Sequence, residues 1–253
     1  NPAKGLRSIN LAKAESVVYF LADDALQGRE SGTDACKSAA AFLAAQLREA
    51  GIEPLFDGRY TQSFSGINRL SKREISMQNV CGIIRGRKAD EYVVVCAHYD
   101  HLGVRPEVEG KDKIFNGADD NASGVQAVLQ IGRAFIASGR QPERSVIIAF
   151  WDGEEQGLLG SGYFLENCSY KKEIKGCLNF DMIGRNNIPE RPEQVVFFYS
   201  SQNPAFGEWL KRDISRYKLG IDPDYRPNER LLGGSDNANF VKNDIPFMWY
   251  HTD

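Results

Sequence analysis

The sequence of 253 residues has only three histidines, no long apolar run and no two cysteines in a CxxC spacing. A zinc ribbon or a thioredoxin-type site, which needs such cysteine pairs, is therefore not expected. No apolar run approaches the roughly 18 residues that a membrane helix requires, so no membrane span is expected. The opening stretch NPAKGLRSIN lacks the apolar core of a signal peptide, which favours a mature soluble protein.

Charge of one sign is not in excess either. The 31 lysines and arginines nearly balance the 34 aspartates and glutamates, for a net charge of −3. Because no basic surface is expected, nothing indicates a nucleic-acid partner. At 42% hydrophobic and 26% charged residues, the chain can bury one substantial core, and it contains no repeat, low-complexity tract or linker. We therefore expect a single domain over residues 1–253.

The five cysteines indicate mainly structural roles. Cys81 and Cys96 lie in apolar stretches, where a small buried thiol is the expected state. Cys168 and Cys177 are close enough in sequence for a short-loop disulfide, which would require export from the cytoplasm. Two free thiols are the alternative for this pair.

Apolar periodicity predicts an α/β fold. Helical spacing at 11–26 and 34–51 indicates that two helices precede the sheet. Short runs of β-branched and aromatic residues predict strands at 79–86, 91–98, 144–152, 176–184 and 193–200. Helical patterns alternate with them at about 121–138, 156–167, 204–217 and 236–243. This alternation predicts a three-layer αβα sandwich with a mixed, largely parallel central sheet.

Acidic and imidazole side chains follow the predicted strands. In open α/β sheets, functional residues lie just beyond the carboxyl ends of strands. The candidates in such positions, or at the start of a helix, are His98, Asp100, His101, Asp119, Asp120, Asp152, Glu154, Glu155 and Asp181. Carboxylates at this density repel one another unless a cation is present, and no lysine or arginine cluster follows them, so a divalent metal is expected.

Imidazole and carboxylate ligands together favour zinc, with cobalt or manganese as alternatives. A bound metal lowers the pKa of a water, and a carboxylate outside the coordination shell can accept its proton. The adjacent Glu154 and Glu155 can divide the roles of base and ligand. The pattern therefore predicts a hydrolytic site.

Five ordered motifs extend this interpretation: AHYDH at 97–101, GADDNASG at 117–124, DGEEQGLLGS at 152–161, NFDMIG at 179–184 and GGSDNANF at 233–240. Together they resemble the zinc exopeptidases that include bacterial secreted leucine aminopeptidases, with glutamate carboxypeptidase, glutaminyl cyclase and the transferrin-receptor ectodomain as relatives. The segment FLADDALQGRESGT at 20–33 is similar to a leader segment of exported bacterial members. Export to a bacterial periplasm or cell surface is therefore expected.

The resemblance implies two zinc ions per chain. Asp119 would bridge them, with His98 and Asp181 completing one site and Glu155 ligating the other. Asp120 would be a neighbour that a cis peptide bond joins to Asp119, with a helix N-cap as its alternative role.

Two further roles follow from the same resemblance. Glu154 would be the general base for a zinc-activated water. Asp100 would orient the imidazole of His98, as supporting groups around metal sites do.

The last ligand of the second zinc is not evident. In the family it is a histidine well beyond the strand that begins at an Ile-Pro pair, whereas His251 is only a few residues past Pro246. We therefore expect a sequence truncated before that ligand and before the fold's final helix, with His251 at the end of a strand and a weakly held second zinc. His251 and His101 remain the alternative ligands within the sequence.

The resemblance implies an aminopeptidase that removes N-terminal residues from peptides with a free amino terminus. One alternative is a glutaminyl cyclase, which is a single-zinc acyltransferase on the same scaffold. Another is a non-catalytic binding domain of that fold. A carboxypeptidase is a third, although no arginine cluster marks a carboxylate pocket.

Overall fold

The computed structural model describes residues 2–252. The helices are α1 Pro2–Ser8, α2 Leu11–Leu21, α3 Asp34–Glu49, α4 Gly124–Ser138, α5 Leu159–Glu166, α6 Ala205–Tyr217 and α7 Asn237–Lys242. The strands are β1 Glu53–Pro54, β2 Thr61–Ile67, β3 Glu74–Ile84, β4 Lys88–His98, β5 Gly103–Val104, β6 Ile114–Phe115, β7 Arg144–Trp151, β8 Ile174–Phe180, β9 Gln194–Ser200, β10 Asp222–Asn228 and β11 Phe247–His251. None of the helices in this part of the chain is long and apolar enough to cross a membrane.

One mixed sheet organises the molecule. Its strand order is β1–β3–β7–β4–β8–β11–β9–β10, with β2 also paired to β3. The four central strands, β7, β4, β8 and β11, are parallel, whereas β3 and β9 run antiparallel to their neighbours β7 and β11. The parallel centre brings the carboxyl ends of β7, β4 and β8 to one edge of the sheet.

Helices cover both faces of this sheet. On β4, Val95 packs in a core cluster with Leu43 of α3 and Val128 of α4. The next residue toward the amino end, Val94, belongs to a second cluster with Phe164 of α5. Alternate side chains of one strand therefore enter two separate apolar layers, as a strand buried on both faces requires. The predicted three-layer αβα sandwich is confirmed.

The predicted helices and strands are present, but some of their limits differ. The helix expected over 11–26 ends at Leu21, and the chain continues into a short 3-10 segment, Asp24–Arg29, whose Ala25 amide donates to the side chain of Asp23. The strand expected over 176–184 ends at Phe180, which leaves the residues that follow free to form a loop.

Several elements were not predicted. Helix α1 precedes the two expected helices, and β2 extends the sheet beyond β3. The most informative omission is β10, DPDYRPN, which pairs with β9 at the end of the strand order. Its prolines and charged residues give it a low strand propensity, although a strand at the edge of a sheet tolerates both.

All five cysteines are buried and free. Cys81 and Cys96 lie in core strands, as predicted. Cys168 and Cys177 are not bridged, and the sulfur of Cys177 instead lies 3.6 Å from that of Cys96. This part of the fold depends on apolar packing and not on a disulfide.

Candidate metal centre

The candidate residues converge at the carboxyl edge of the parallel strands. His98 is the last residue of β4, Asp181 directly follows β8, and Glu154 and Glu155 lie in the loop after β7. The fourth contributor is an irregular helical segment, Ala118–Ser123, which leads into α4. Because β7, β4 and β8 are neighbours, their ends place these side chains together.

One set of ligand atoms, which we call the inner group, consists of His98, Asp120 and Asp181. The Nε2 atom of His98 lies 3.1 Å from Oδ1 of Asp120 and 3.5 Å from Oδ1 of Asp181. His98 is 1% exposed and Asp181 is 5% exposed. The three ligand atoms lie within 4.8 Å of one another, so one ion can contact all of them.

A second set, the outer group, consists of His101, Asp120 and Glu155. The Nδ1 atom of His101 lies 2.9 Å from Oε1 of Glu155 and 3.7 Å from Oδ2 of Asp120. Asp120 thus presents one carboxylate oxygen to each group. The outer group is somewhat more open, since the side chain of Glu155 is 18% exposed and that of His101 9%, whereas those of Asp181 and His98 are 7% and 1% exposed.

Asp120, and not Asp119, occupies the shared position, which corrects the prediction that Asp119 bridges two metals. The cis peptide bond joins Asp120 to Asn121 and not Asp119 to Asp120. The carboxylate of Asp119 instead accepts hydrogen bonds from the backbone amide of Gly184 at 2.7 Å and from the hydroxyl of Ser123 at 3.2 Å.

The local backbone explains why Asp120 and not Asp119 takes the shared position. Asp120 has φ −99° and ψ 99°, so the segment is not a regular helix at this residue. Its neighbour Asp119 therefore points to another part of the site. The alternative role of Asp120 as a helix cap is not seen, because α4 begins four residues later, at Gly124.

Asp100 connects the loop that carries His98 to the loop that carries the two glutamates. Its carboxylate accepts hydrogen bonds from the backbone amides of Glu154 at 3.1 Å and Glu155 at 3.2 Å. The Nδ1 atom of His98 lies 3.2 Å from the carbonyl oxygen of Asp100 and 3.6 Å from its Oδ1. These contacts leave Nε2 of His98 directed at the inner group, and the orienting role of Asp100 stays a prediction.

Ser235 provides support that sequence reasoning missed. Its hydroxyl donates a short hydrogen bond to Oδ2 of Asp181 and accepts one from the side-chain amide of Asn179 at 2.8 Å. Oδ1 of Asp181 is thereby left to face His98. The only sequence signal was the position of Ser235 in the motif GGSDNANF.

Buried negative charge dominates the electrostatics. Burial, together with Asp236, Asp181 and Asp100, raises the pKa of Glu154 to about 9, although His98 acts to lower it. Burial is the largest cause of this shift, and the neighbouring acids add negative charge that a bound cation would offset.

The inner group shows the same imbalance. Burial acts to lower the pKa of His98, but the negative charges of Asp181 and Glu154, with hydrogen bonds that the imidazole donates to Asp100 and Asp120, raise it well above its ordinary value. Burial acts to raise the pKa of Asp120, but contact with His98 lowers it. Carboxylate oxygens and imidazole nitrogens, clustered and short of positive charge, fit a divalent metal such as zinc.

His251 ends β11, as predicted. Its Nδ1 atom lies 2.7 Å from the backbone carbonyl oxygen of Asp181, and its ring packs against Trp249. Over residues 2–252, neither ligand group includes it. His101, the other alternative ligand, is the histidine that lies beside Glu155.

Fold and ligand groups together define an α/β protein with a candidate two-metal centre at the carboxyl edge of its sheet. The chain belongs to peptidase family M28, whose family model matches residues 79–253. The predicted resemblance to zinc exopeptidases is thus confirmed.

Relatives with assigned names agree with this family. The chain is 33% identical over 139 residues to leupeptin-inactivating enzyme 1 of Streptomyces exfoliatus, covering 53% of this chain and 29% of that protein. It is 32% identical over 138 residues to an aminopeptidase of Pseudomonas aeruginosa, covering 54% of this chain and 22% of that protein. The chain therefore spans less than a third of the length of either relative.

A solved structure supports the fold. BSAP, a zinc aminopeptidase from Bacillus subtilis, is similar with a TM-score of 0.74 over 95% of this chain and 84% of that chain. The sequence identity is 15%, so this likeness concerns the fold alone.

Proposed function

We propose that the chain carries the catalytic centre of a zinc-dependent aminopeptidase that removes N-terminal residues from peptides. The single observation that carries this proposal is the shared carboxylate of Asp120, whose two oxygens face the inner and the outer group at 3.1 and 3.7 Å. Such a carboxylate between two ligand sets is suited to holding two metals side by side. Membership of the peptidase family and the similarity to an aminopeptidase of Pseudomonas aeruginosa support the same reaction.

In this proposal the inner group holds one zinc and the outer group contributes to a second. A zinc ion held there acts as a Lewis acid and lowers the pKa of a nearby water toward neutrality. Asp100 and Ser235 keep His98 and Asp181 oriented for binding. The more exposed Glu155 and Asp120 face the side from which a substrate enters.

Glu154 is the proposed general base. Its carboxyl group belongs to neither ligand group in the described chain, yet its backbone amide is fixed by Asp100 next to Glu155. Burial and neighbouring acids raise its pKa to about 9, and the positive charge of zinc held beside it would lower that pKa, so that the carboxylate form can act as the base. The side chain can therefore accept a proton from the attacking water and deliver it to the leaving amine.

The name of the Pseudomonas aeruginosa relative, an aminopeptidase, favours the aminopeptidase reading over the carboxypeptidase alternative.

The first test is the variant Glu154→Gln, which keeps the size of the side chain but cannot act as a base. We expect turnover of amino-acid anilides to fall by at least about 1,000-fold, with zinc content by metal analysis unchanged. The matched control, Glu155→Gln, should lose zinc as well as activity. Near-native turnover of Glu154→Gln would show that the base is another group.

The same assay separates the rival reaction on this scaffold. A glutaminyl cyclase would leave leucine and alanine anilides intact and cyclise a peptide with N-terminal glutamine. We expect release of the anilide product and no cyclisation. Inert behaviour toward both substrates, with zinc bound, would favour a binding domain.

Export to a bacterial periplasm or cell surface is also proposed. It is supported by the similarity of residues 20–33 to the leader segment of exported family members. Fractionation of the source cells tests it, and activity confined to the cytoplasm would exclude it.

A further inference from the structure

Arg29 is a fully buried cation whose hydrogen bonds go to backbone carbonyls. It is 0% exposed, a state that arginine rarely adopts without dedicated partners. Its Nε donates to the carbonyl of Tyr99 at 2.8 Å, and its Nη2 donates to that of Gly117 at 3.0 Å. Its Nη1 donates to the carbonyls of Asn116 at 2.7 Å and of Leu21.

These carbonyls belong to the segments that carry the metal centre. Tyr99 lies between His98 and Asp100, and Gly117 opens the segment that leads to Asp120. The planar guanidinium presents donors in a fixed fork. One side chain therefore connects the end of β4 with the turn before the shared aspartate.

The packing around this connection leaves little room for adjustment. Gly28 has φ +67°, and a Cβ at this position would lie 2.4 Å from the carbonyl oxygen of Phe115 and 2.7 Å from that of Gly103. A Cβ on Gly117 would lie 2.7 Å from Nη2 of Arg29. From the other side, the backbone amide of His101 donates to the carbonyl of Arg29 at 3.2 Å.

The charge of Arg29 faces the acids of the centre. Burial lowers the pKa of Arg29 to about 10, and among the groups that oppose this shift are the negative charges of Asp100 and Asp120. The guanidinium is therefore cationic at neutral pH, directly behind the metal-binding carboxylates.

We infer that Arg29 is a positioning residue of the metal centre, which sets the His98 loop and the Asp120 segment at the spacing that metal binding needs. This inference rests on the proposed metal centre. Arg29 precedes residue 79, where the family match begins. The N-terminal segment is thus a structural part of the centre and not only a covering of the sheet.

Positioning and simple charge compensation predict opposite outcomes. If Arg29 acted only as a cation, its neutralisation would remove repulsion and tighten zinc binding. If Arg29 positions the two loops, the loss of its fork weakens zinc binding even though repulsion is removed. The variants Arg29→Gln and Arg29→Lys separate the two effects, because lysine keeps the charge and loses the fork.

The experiment measures zinc dissociation constants of the folded chain by competition with a chromophoric chelator. We expect Arg29→Gln to weaken zinc binding at least about tenfold, which is the range typical of residues that support metal ligands. Arg29→Lys should weaken it as well. The control is Leu43→Ala, a buried core position of α3 that belongs to neither ligand group; this variant should lower thermal stability, and its zinc affinity should equal that of the natural chain.

Each outcome decides the inference. Arg29→Gln with unchanged or tighter zinc binding overturns it while leaving the proposed function intact. A natural chain that binds no zinc overturns both. If Arg29→Gln does not fold, Arg29→Lys decides by the same criterion, and equal affinity of Leu43→Ala and Arg29→Lys overturns the positioning role.

Discussion

The inner and outer groups share Asp120 but differ in burial and support. In the inner group, His98 and Asp181 are nearly inaccessible, and Asp100 and Ser235 hold their other atoms. In the outer group, the carboxylate of Glu155 is partly exposed. Similar ligand types are therefore placed in a rigid, dry environment on one side and an open one on the other.

This difference indicates a division of labour. A buried group with supported ligands is suited to holding an ion permanently, because its ligands lose little entropy on binding. An open group can exchange water and admit the end of a peptide. We therefore expect tighter metal binding at the inner group and substrate access at the outer group.

The largest effect is expected from a change of Asp120, the residue that the inner and outer groups share. Asp120→Asn should abolish zinc binding at both groups at micromolar concentrations and reduce turnover by orders of magnitude. Asp119→Asn is the matched control, since its amide oxygen can still accept the Gly184 amide. Metal analysis decides between the adjacent acids, and a larger effect at Asp119 would contradict the placement of Asp120.

Separate removal of the histidines should split the two groups. His98→Gln should weaken the tighter zinc by more than about 100-fold, above the range for supporting residues, because water cannot easily replace a ligand at a buried position. His101→Gln should weaken only the looser zinc and by a smaller factor, since the outer group is open to water. Zinc titration calorimetry reports both constants, and equal effects would show that burial does not distinguish the groups.

A pH series probes the acids behind the inner group. Burial raises the pKa of Asp236 to about 7, with Asp181 and Asp100 adding to the shift against His98 and Ser161. The folded chain therefore keeps a proton that the unfolded chain has released, and this stabilisation is lost as pH rises through the folded pKa. From pH 5 to 8 this one carboxyl group should lower the unfolding free energy of the metal-free chain by about 2 kcal/mol, in addition to the fall caused by Glu154, whose pKa is raised to about 9.

Urea unfolding in the presence of a chelator measures this slope. Asp236→Asn should make the slope shallower by the share of that carboxyl group, because the amide does not titrate. An unchanged slope in that variant would assign the pH dependence to other acids, such as Glu154.

The smallest expected effect concerns the support of Asp181. Ser235→Ala removes the hydroxyl that holds Oδ2 of Asp181 and should weaken zinc at the inner group by about tenfold, with the outer group unaffected. Ser235→Thr keeps the hydroxyl and serves as the control. Chelator competition gives both affinities, and loss at the outer group instead would contradict the assignment of Ser235.

Much of this architecture follows from local patterns. The αβα class and its core strands were predictable because β-branched runs alternate with helical periodicity. The sequence predicted three of the site residues because each lies at or just beyond the end of a strand, and parallel strands bring their carboxyl ends to one edge of the sheet. These residues are His98, Glu155 and Asp181. The edge strand β10 could not be predicted, because a segment with its prolines and charged residues is equally typical of a loop.

The sequence alone could not decide which of two adjacent residues of the same type is a metal ligand. Asp119 and Asp120 are chemically identical, and the choice depends on backbone angles in the turn before α4, which distant packing sets. His101 was undervalued for a related reason, since its approach to Glu155 depends on how two loops fold over each other.

The sequence by itself determined the fold class, the family and the chemistry of the ligands, because these depend on residue types and on periodicities shorter than one element. Only the tertiary structure decided which aspartate is shared, that Ser235 supports Asp181, and that Arg29 reaches the backbone of two ligand loops. Those outcomes depend on contacts between segments far apart in the chain, and no local pattern encodes the distance between them.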